Sequence, residues 1–158
     1  IIEIQKLFHE NVEIFYDQTH LIIKSEDSLF YTKLINGKFP DYSRIIPREC
    51  SRTIVLPKAA IISAIKQITT ISNDLKLTFQ NDVILFESLS DDNIEAKTAV
   101  EIENGFNDPF VLAVNSRYVL DFLSQVSSQE FTLEANESNQ PFVLKDQNFK
   151  TIVMPIVI

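Results

Sequence analysis

Apolar residues at Ile1, Ile4, Leu7 and Phe8 have the spacing of one helix face, and no capping residue precedes them. Three runs of strand character follow at residues 12–16, 20–24 and 28–34, separated by the polar turns Asp17-Gln18-Thr19 and Ser25-Glu26-Asp27. A second set starts with a strand at residues 52–56. Pro57 suits the first helical position, where a missing N–H costs nothing, and Ile61, Ile65 and Ile68 mark the buried face of a helix reaching about residue 71. Strands at residues 75–80, 83–88 and 93–102 come next, with Asn81-Asp82 as a tight turn. Asn104-Gly105 breaks the chain, and a third set opens with a strand at residues 110–114. Asn115 is a good N-cap for a helix to about Val126 that buries Val119, Phe122, Leu123 and Val126. Strands at residues 130–135, 141–145 and 149–155 complete it.

The chain thus spells helix–strand–strand–strand three times, and the last two copies carry an extra strand in front. A repeat of roughly 50–60 residues lies outside the common solenoid periods. Two complete copies, residues 52–102 and 110–155, predict one domain of α+β class, with antiparallel sheets backed by two amphipathic helices. The first copy reads as the second half of a preceding domain. The chain opens at Ile1, inside a helical pattern and without a Met, which predicts a fragment of a longer protein.

Between the first and second copies lies a segment of different character, Leu-Ile-Asn-Gly-Lys-Phe-Pro-Asp-Tyr-Ser-Arg-Ile-Ile-Pro at residues 34–47. It holds one of the two glycines and two of the six prolines, so helix and strand are both disfavoured. Yet Phe39, Tyr42, Ile45 and Ile46 are large and apolar, unlike the side chains of a linker that needs only reach. The segment is expected to lie fixed against its neighbours, either filling a core edge or forming one wall of a surface site. The run Met154-Pro155-Ile156-Val157-Ile158 is equally apolar, and must pack on the domain's own core edge or line a groove with the joint.

Composition narrows the chemistry. An apolar fraction of 45% over 158 residues supports a real core, and the net charge of −8 argues against broad non-specific nucleic-acid binding. Cys50 is the single cysteine, which suits a reducing compartment, and no apolar run approaches the about 18 residues of a membrane span. With no signal-peptide pattern either, a cytoplasmic protein is expected. Catalytic equipment is sparse. His9 and His20 fall near turns, Cys50 has no His at a suggestive spacing, and two glycines cannot build a phosphate-cradling loop. Asp91, Asp92 and Glu95 read as a solvated loop and not as a cation site. No enzyme, cofactor or metal is expected.

Three stretches carry a family resemblance: the joint at residues 34–47, Asn115-Ser-Arg-Tyr-Val-Leu-Asp121, and Thr151-Ile-Val-Met-Pro-Ile-Val-Ile158. In order and over essentially the whole chain, they resemble the C-terminal portion of the bacterial β sliding clamp, the processivity subunit of the replicative DNA polymerase. The resemblance implies the DNA clamp fold, with residues 1–40 as the C-terminal half of the middle domain and residues 41–158 as the third domain. It implies a non-catalytic homodimeric ring around duplex DNA. That ring would tether the polymerase, the clamp loader and repair proteins through short hydrophobic peptide motifs. Matched residue by residue, it implies a peptide-binding cleft of Pro40, Arg44, Ile45, Asn115, Tyr118, Pro141, Ile152, Met154, Pro155 and Ile156. Lys66 and Arg117 would face DNA, or simply form a solvated helix face. Thr70, Ile71 and Glu95 would lie on the third domain's side of the subunit interface. The chain departs from the family's usual Met-Pro-Met-Arg-Leu ending, so the arginine's contact is absent, and Lys97 departs from an acidic run often found at the interface. A further pocket wall would come from a glycine-containing loop upstream of Ile1.

A reading of another class competes: a small-molecule binding or inhibitor protein on a repeated α+β scaffold. It would need a closed interior pocket in place of a surface cleft.

Overall fold

The structure is a computed structural model, and it describes residues 2–39, 41–89, 95–103, 105–106 and 108–158. The chain divides into two compact units, Ile1–Asp41 and Tyr42–Ile158.

The first unit contains α1 (Ile2–Leu7) and the antiparallel strands β1 (Glu13–Tyr16), β2 (His20–Lys24) and β3 (Leu29–Lys33), hydrogen-bonded in that order. Its first turn is closed by Asp17, whose Oδ1 accepts from the Thr19 N–H at 2.6 Å, the Thr19 hydroxyl at 2.9 Å and the His20 N–H at 2.7 Å. These bonds, the Thr19 amide first, hold the Asp17 carboxyl down to about 2. The His20 ring stacks on Tyr31 with centroids 5.2 Å apart, as a strand-surface pair and not a catalytic arrangement. Ile23 is the one buried hydrophobic among this unit's described residues.

The second unit is built from two copies of one motif. The first copy is β4 (Arg52–Pro57), α2 (Lys58–Ile68), β5 (Asp74–Gln80), β6 (Val83–Ser88) and β7 (Lys97–Glu101). The second is β8 (Phe110–Asn115), α3 (Ser116–Gln125), β9 (Glu130–Ala135), β10 (Phe142–Asp146) and β11 (Phe149–Val153). The two four-stranded antiparallel sheets run β11-β10-β9-β4 and β7-β6-β5-β8, so each copy's leading strand joins the other copy's sheet. The exchange is symmetric to the residue. Lys58 N–H donates to the Gln129 carbonyl at 2.9 Å, and Ser116 N–H donates to the Asn73 carbonyl at 2.7 Å. The helix-capping residues share one extended geometry, φ −73° and ψ 116° at Pro57, φ −73° and ψ 120° at Asn115.

Period-2 alternation in the strands and period-3.6 spacing in the helices aim one face of each inward. Leu75, Leu77 and Phe79 of β5, Ile84 and Phe86 of β6, and Phe142 and Leu144 of β10 are buried, with Ile61, Ala64, Ile65 and Ile68 of α2 and Val119, Phe122 and Leu123 of α3. Each of these side chains larger than alanine contributes about 1.5–3 kcal/mol by leaving water. The void these core residues enclose is only about 20 Å³, room for roughly one water.

Several expectations are corrected. Pro57 closes β4 instead of opening α2, because strand pairing with Glu130 runs through it. The helix ends at Ile68, where Thr69 caps it and Ile71 N–H bonds back to the Ile68 carbonyl at 2.9 Å. The strand expected at residues 93–102 is observed as Lys97–Glu101, with Asn93 and Ile94 outside the described residues. Asn81 and Asp82 do form a tight turn, with φ of 51° and 59°. Of the two alternatives for the joint, a filled core edge or a wall of a surface site, the exposure of Phe39, Tyr42, Ile45 and Ile46 fits the second. In the second unit a single 3-10 turn, Tyr42–Arg44, folds the backbone onto itself, with Ile45 N–H donating to the Tyr42 carbonyl at 3.0 Å.

Candidate functional site

Met154 follows the last residue of β11 and is 60% exposed, a large apolar side chain left in water. It lies between two open depressions of the second unit. The first, about 590 Å³, is lined by Arg44, Ile45, Ile46, Pro47, Arg48, Glu49, Asn136, Gln140, Pro141 and Met154. The second, about 430 Å³ and largely apolar, is lined by Tyr118, Asp121, Phe122, Phe149, Thr151, Ile152, Val153 and Met154. Its back wall is aromatic: Phe149 stacks on buried Phe122 at 5.4 Å with planes 7° apart. Tyr118 also borders a third, more polar depression of about 650 Å³, together with Asn115, Arg117, Thr69 and Asn73.

Each wall is fixed by local chemistry. Asn115 caps α3, its Oδ1 accepting from Arg117 N–H at 3.2 Å while its Nδ2 donates to Asp74 Oδ1 at 2.7 Å. That double anchor fixes the helix start and hence Tyr118, one turn on. The β9–β10 connection carries Asn136, Gln140 and Pro141, and the β10–β11 hairpin carries Phe149. Ile156 N–H donates to the Ala113 carbonyl at 2.7 Å, which holds the tail against β8.

The structure therefore brings Arg44, Ile45, Pro141 and Met154 together on one side, and Tyr118, Ile152 and Met154 on the other. Asn115 meets Tyr118 in the neighbouring polar depression. Pro155 and Ile156 are half-buried along β8 and do not share Met154's exposure, so the outward-facing run expected at residues 154–156 reduces to Met154. Pro40 lies outside the described residues. Phe149, Phe122 and Asn136 were missed. Phe122 had been assigned to the core alone, and the lining roles of Phe149 and Asn136 depend on hairpin geometry that no local spacing reveals.

Lys66 and Arg117 are exposed on α2 and α3, two helices that pack together. Arg117 Nε lies 3.9 Å from Asp121 Oδ2, one turn along, which offsets its charge. Thr70 Oγ1 donates to the Gln67 carbonyl at 2.8 Å, and Ile71 is exposed beside it. Glu95 belongs to a charge chain on the first copy's sheet. Lys97 reaches Glu95 and Glu87, each at 3.1 Å, and Lys76 reaches Glu87 at 2.9 Å. The Lys76 hydrogen bond, ahead of Lys97, holds the Glu87 carboxyl below its usual range, and Glu95, then Glu87, raise the Lys97 ammonium. Asp91 and Asp92 lie outside the described residues, and no cluster of metal-ligating side chains occurs among those described. Burial, then the Glu134 carboxylate, push the half-buried Cys50 thiol up, away from nucleophilic character.

Residues 43–157 match the family model described as DNA polymerase III beta subunit, C-terminal domain. The beta sliding clamp of Helicobacter pylori is 34% identical over 171 residues, covering all of this chain and 46% of that protein. A crystal structure of the Helicobacter pylori beta clamp bound to a DNA ligase peptide superposes with a TM-score of 0.81 at 38% identity, covering 99% of this chain and 43% of that one. The DNA polymerase III beta subunit of Pseudomonas aeruginosa, at 23% identity, shares the fold with a TM-score of 0.82 over 99% of this chain and 46% of that one. The architecture is that of a DNA clamp. The chain belongs to the bacterial β sliding clamp family and carries its C-terminal portion. It spans about half the length of the relatives it matches.

Proposed function

We propose that the protein to which this chain belongs is a non-catalytic, cytoplasmic processivity factor. It closes as a homodimeric ring around duplex DNA and tethers the replicative polymerase, the clamp loader and repair proteins. Residues 1–40 then complete a middle domain, and residues 41–158 form the third. Lys66 and Arg117 supply the weak, sequence-blind phosphate attraction that a sliding ring needs, and Thr70, Ile71 and Glu95 lie at the subunit interface. The cleft for hydrophobic peptide motifs is the pair of depressions meeting at Met154.

The observation that carries this reading is the exposure of Met154 between Ile45 and Pro141 on one side and Tyr118 and Ile152 on the other. Exposed apolar patches with polar rims mark binding sites, and an apolar peptide anchor seated there gains about 25 cal/mol per Å² before ordering costs. Arg44 stands where it can orient a peptide by a charge-assisted hydrogen bond. The competing small-molecule reading requires an interior pocket, and the void enclosed by the core is about 20 Å³. Calorimetry with a Gln-Leu-x-Leu-Phe type peptide tests the groove. Met154→Ala with Ile45→Ala is expected to weaken binding at least about tenfold, the size of a lost hot spot. Unchanged affinity in a folded double variant would sink the assignment.

A further inference from the structure

The wall formed by residues 44–49 has no sheet or helix of its own beyond one 3-10 turn, so something else must hold it. Asn136, at the start of the β9–β10 connection, does. Its Oδ1 accepts from the Ser51 N–H at 2.7 Å, and its Nδ2 donates to the Glu49 carbonyl at 2.9 Å. One donor on Ser51 and one acceptor on Glu49 leave the side-chain amide a single productive orientation. Its own backbone carbonyl accepts from Arg52 Nη1, and that guanidinium lies 4.6 Å over the Phe110 ring in the core. Asn136 therefore ties residues 49–52, just after the joint, to a hairpin 84–87 residues away, and through Arg52 to the core. It also stands in the lining of the depression shared by Ile45, Pro141 and Met154.

We infer that Asn136 is a positioning residue for peptide recognition: its amide clamp sets the separation between the 44–49 wall and the Pro141–Met154 wall. The inference rests on the groove reading given above. With the clamp gone, this wall loses its two bonds to the hairpin, and the cleft must be ordered each time a peptide binds. That ordering cost weakens affinity without removing any apolar contact. Asp at this position keeps the acceptor for Ser51 N–H and loses the donor to Glu49. Ala loses both.

The test uses the full chain, the synthetic peptide Gln-Leu-Ser-Leu-Phe, and the variants Asn136→Ala, Asn136→Asp and Met154→Ala. Two lost hydrogen bonds predict about tenfold weaker binding for Asn136→Ala, with Asn136→Asp between it and the parent. Amide exchange at Ser51 in the absence of peptide should accelerate in Asn136→Ala, which loss of a direct peptide contact would not produce. Parent-like affinity in Asn136→Ala, with Met154→Ala weakened, overturns the clamp and leaves the groove standing. Parent-like affinity in all three variants overturns both. Should Asn136→Ala fail to fold, Asn136→Asp decides: it loses only the donor to Glu49, and unchanged affinity refutes the clamp.

Discussion

The two copies within the second unit bury the same positions and spend their surfaces differently. Ile54 and Leu56 of β4 correspond to Leu112 and Val114 of β8, and Ile61, Ile65 and Ile68 correspond to Val119, Leu123 and Val126; all ten are buried. Where the sizes diverge, they trade. Ala64 corresponds to Phe122, and Phe79 to Ala135, so a large side chain in one copy has a small equivalent in the other. A close-packed interior permits such exchange when total volume is kept. The surfaces obey no such constraint. The first copy carries the Lys76–Glu87–Lys97–Glu95 charge chain. In the second, Tyr118, Phe149, Ile152 and Met154 stay apolar around the candidate cleft. Burial keeps the pattern common to both copies, and the surfaces diverge.

The steepest break of this comparison is Phe122→Ala. Its counterpart is already Ala64, but the space has been given to Phe122, so a loss of about 3–5 kcal/mol is expected. Denaturant unfolding measures it, and a loss below about 1 kcal/mol would mean that the two copies do not share one packed core. A middle-sized effect separates the caps. Asn115→Ala should cost about 1 kcal/mol because a side-chain cap is lost, whereas Pro57, which makes no such bond, should tolerate Ala to within about 0.5 kcal/mol. Equal losses would show that neither side-chain bond of Asn115, to Arg117 N–H or to Asp74, stabilises the helix start. The smallest effect concerns charge. The folded Glu87 carboxyl titrates below its unfolded value, so its contribution is present above the ordinary glutamate range and fades as pH falls through the folded value. Lys97 titrates above its unfolded value, so its share is present below the ordinary lysine range and fades as pH rises. Glu87→Gln should therefore cost about 0.2–1 kcal/mol at pH 7 and almost nothing in strong acid. A pH-independent difference between parent and variant would assign the effect to packing.

The lone copy in the first unit sharpens the point. It has the same helix and three strands, but Ile14, Phe15, Tyr16, Leu29 and Tyr31 remain exposed. A single sheet cannot bury its own faces, and the leading strand and second copy that solve this in residues 42–158 have no equivalent within the described residues of this unit.

Local periodicity was enough to read the elements, the repeat and the α+β class, because strand alternation and helical spacing are written residue by residue in the apolar pattern. The Asn115 cap and the Asn81-Asp82 turn were legible for the same reason: their chemistry acts over two or three residues. The exchange of β4 and β8 between sheets was not, since pairing Arg52 with Ala135 spans a separation that no local signal encodes. Nor was the fate of the apolar joint, for which a core edge and a surface wall were both open. The lining of the cleft lay beyond sequence in the same way. Resemblance named Arg44, Ile45, Tyr118 and Met154, but only the packed hairpins bring Phe149 and Asn136 to them. Which apolar residues fill a core and which are left to meet a partner depends on what the rest of the chain covers, and that is a property of the assembled layers.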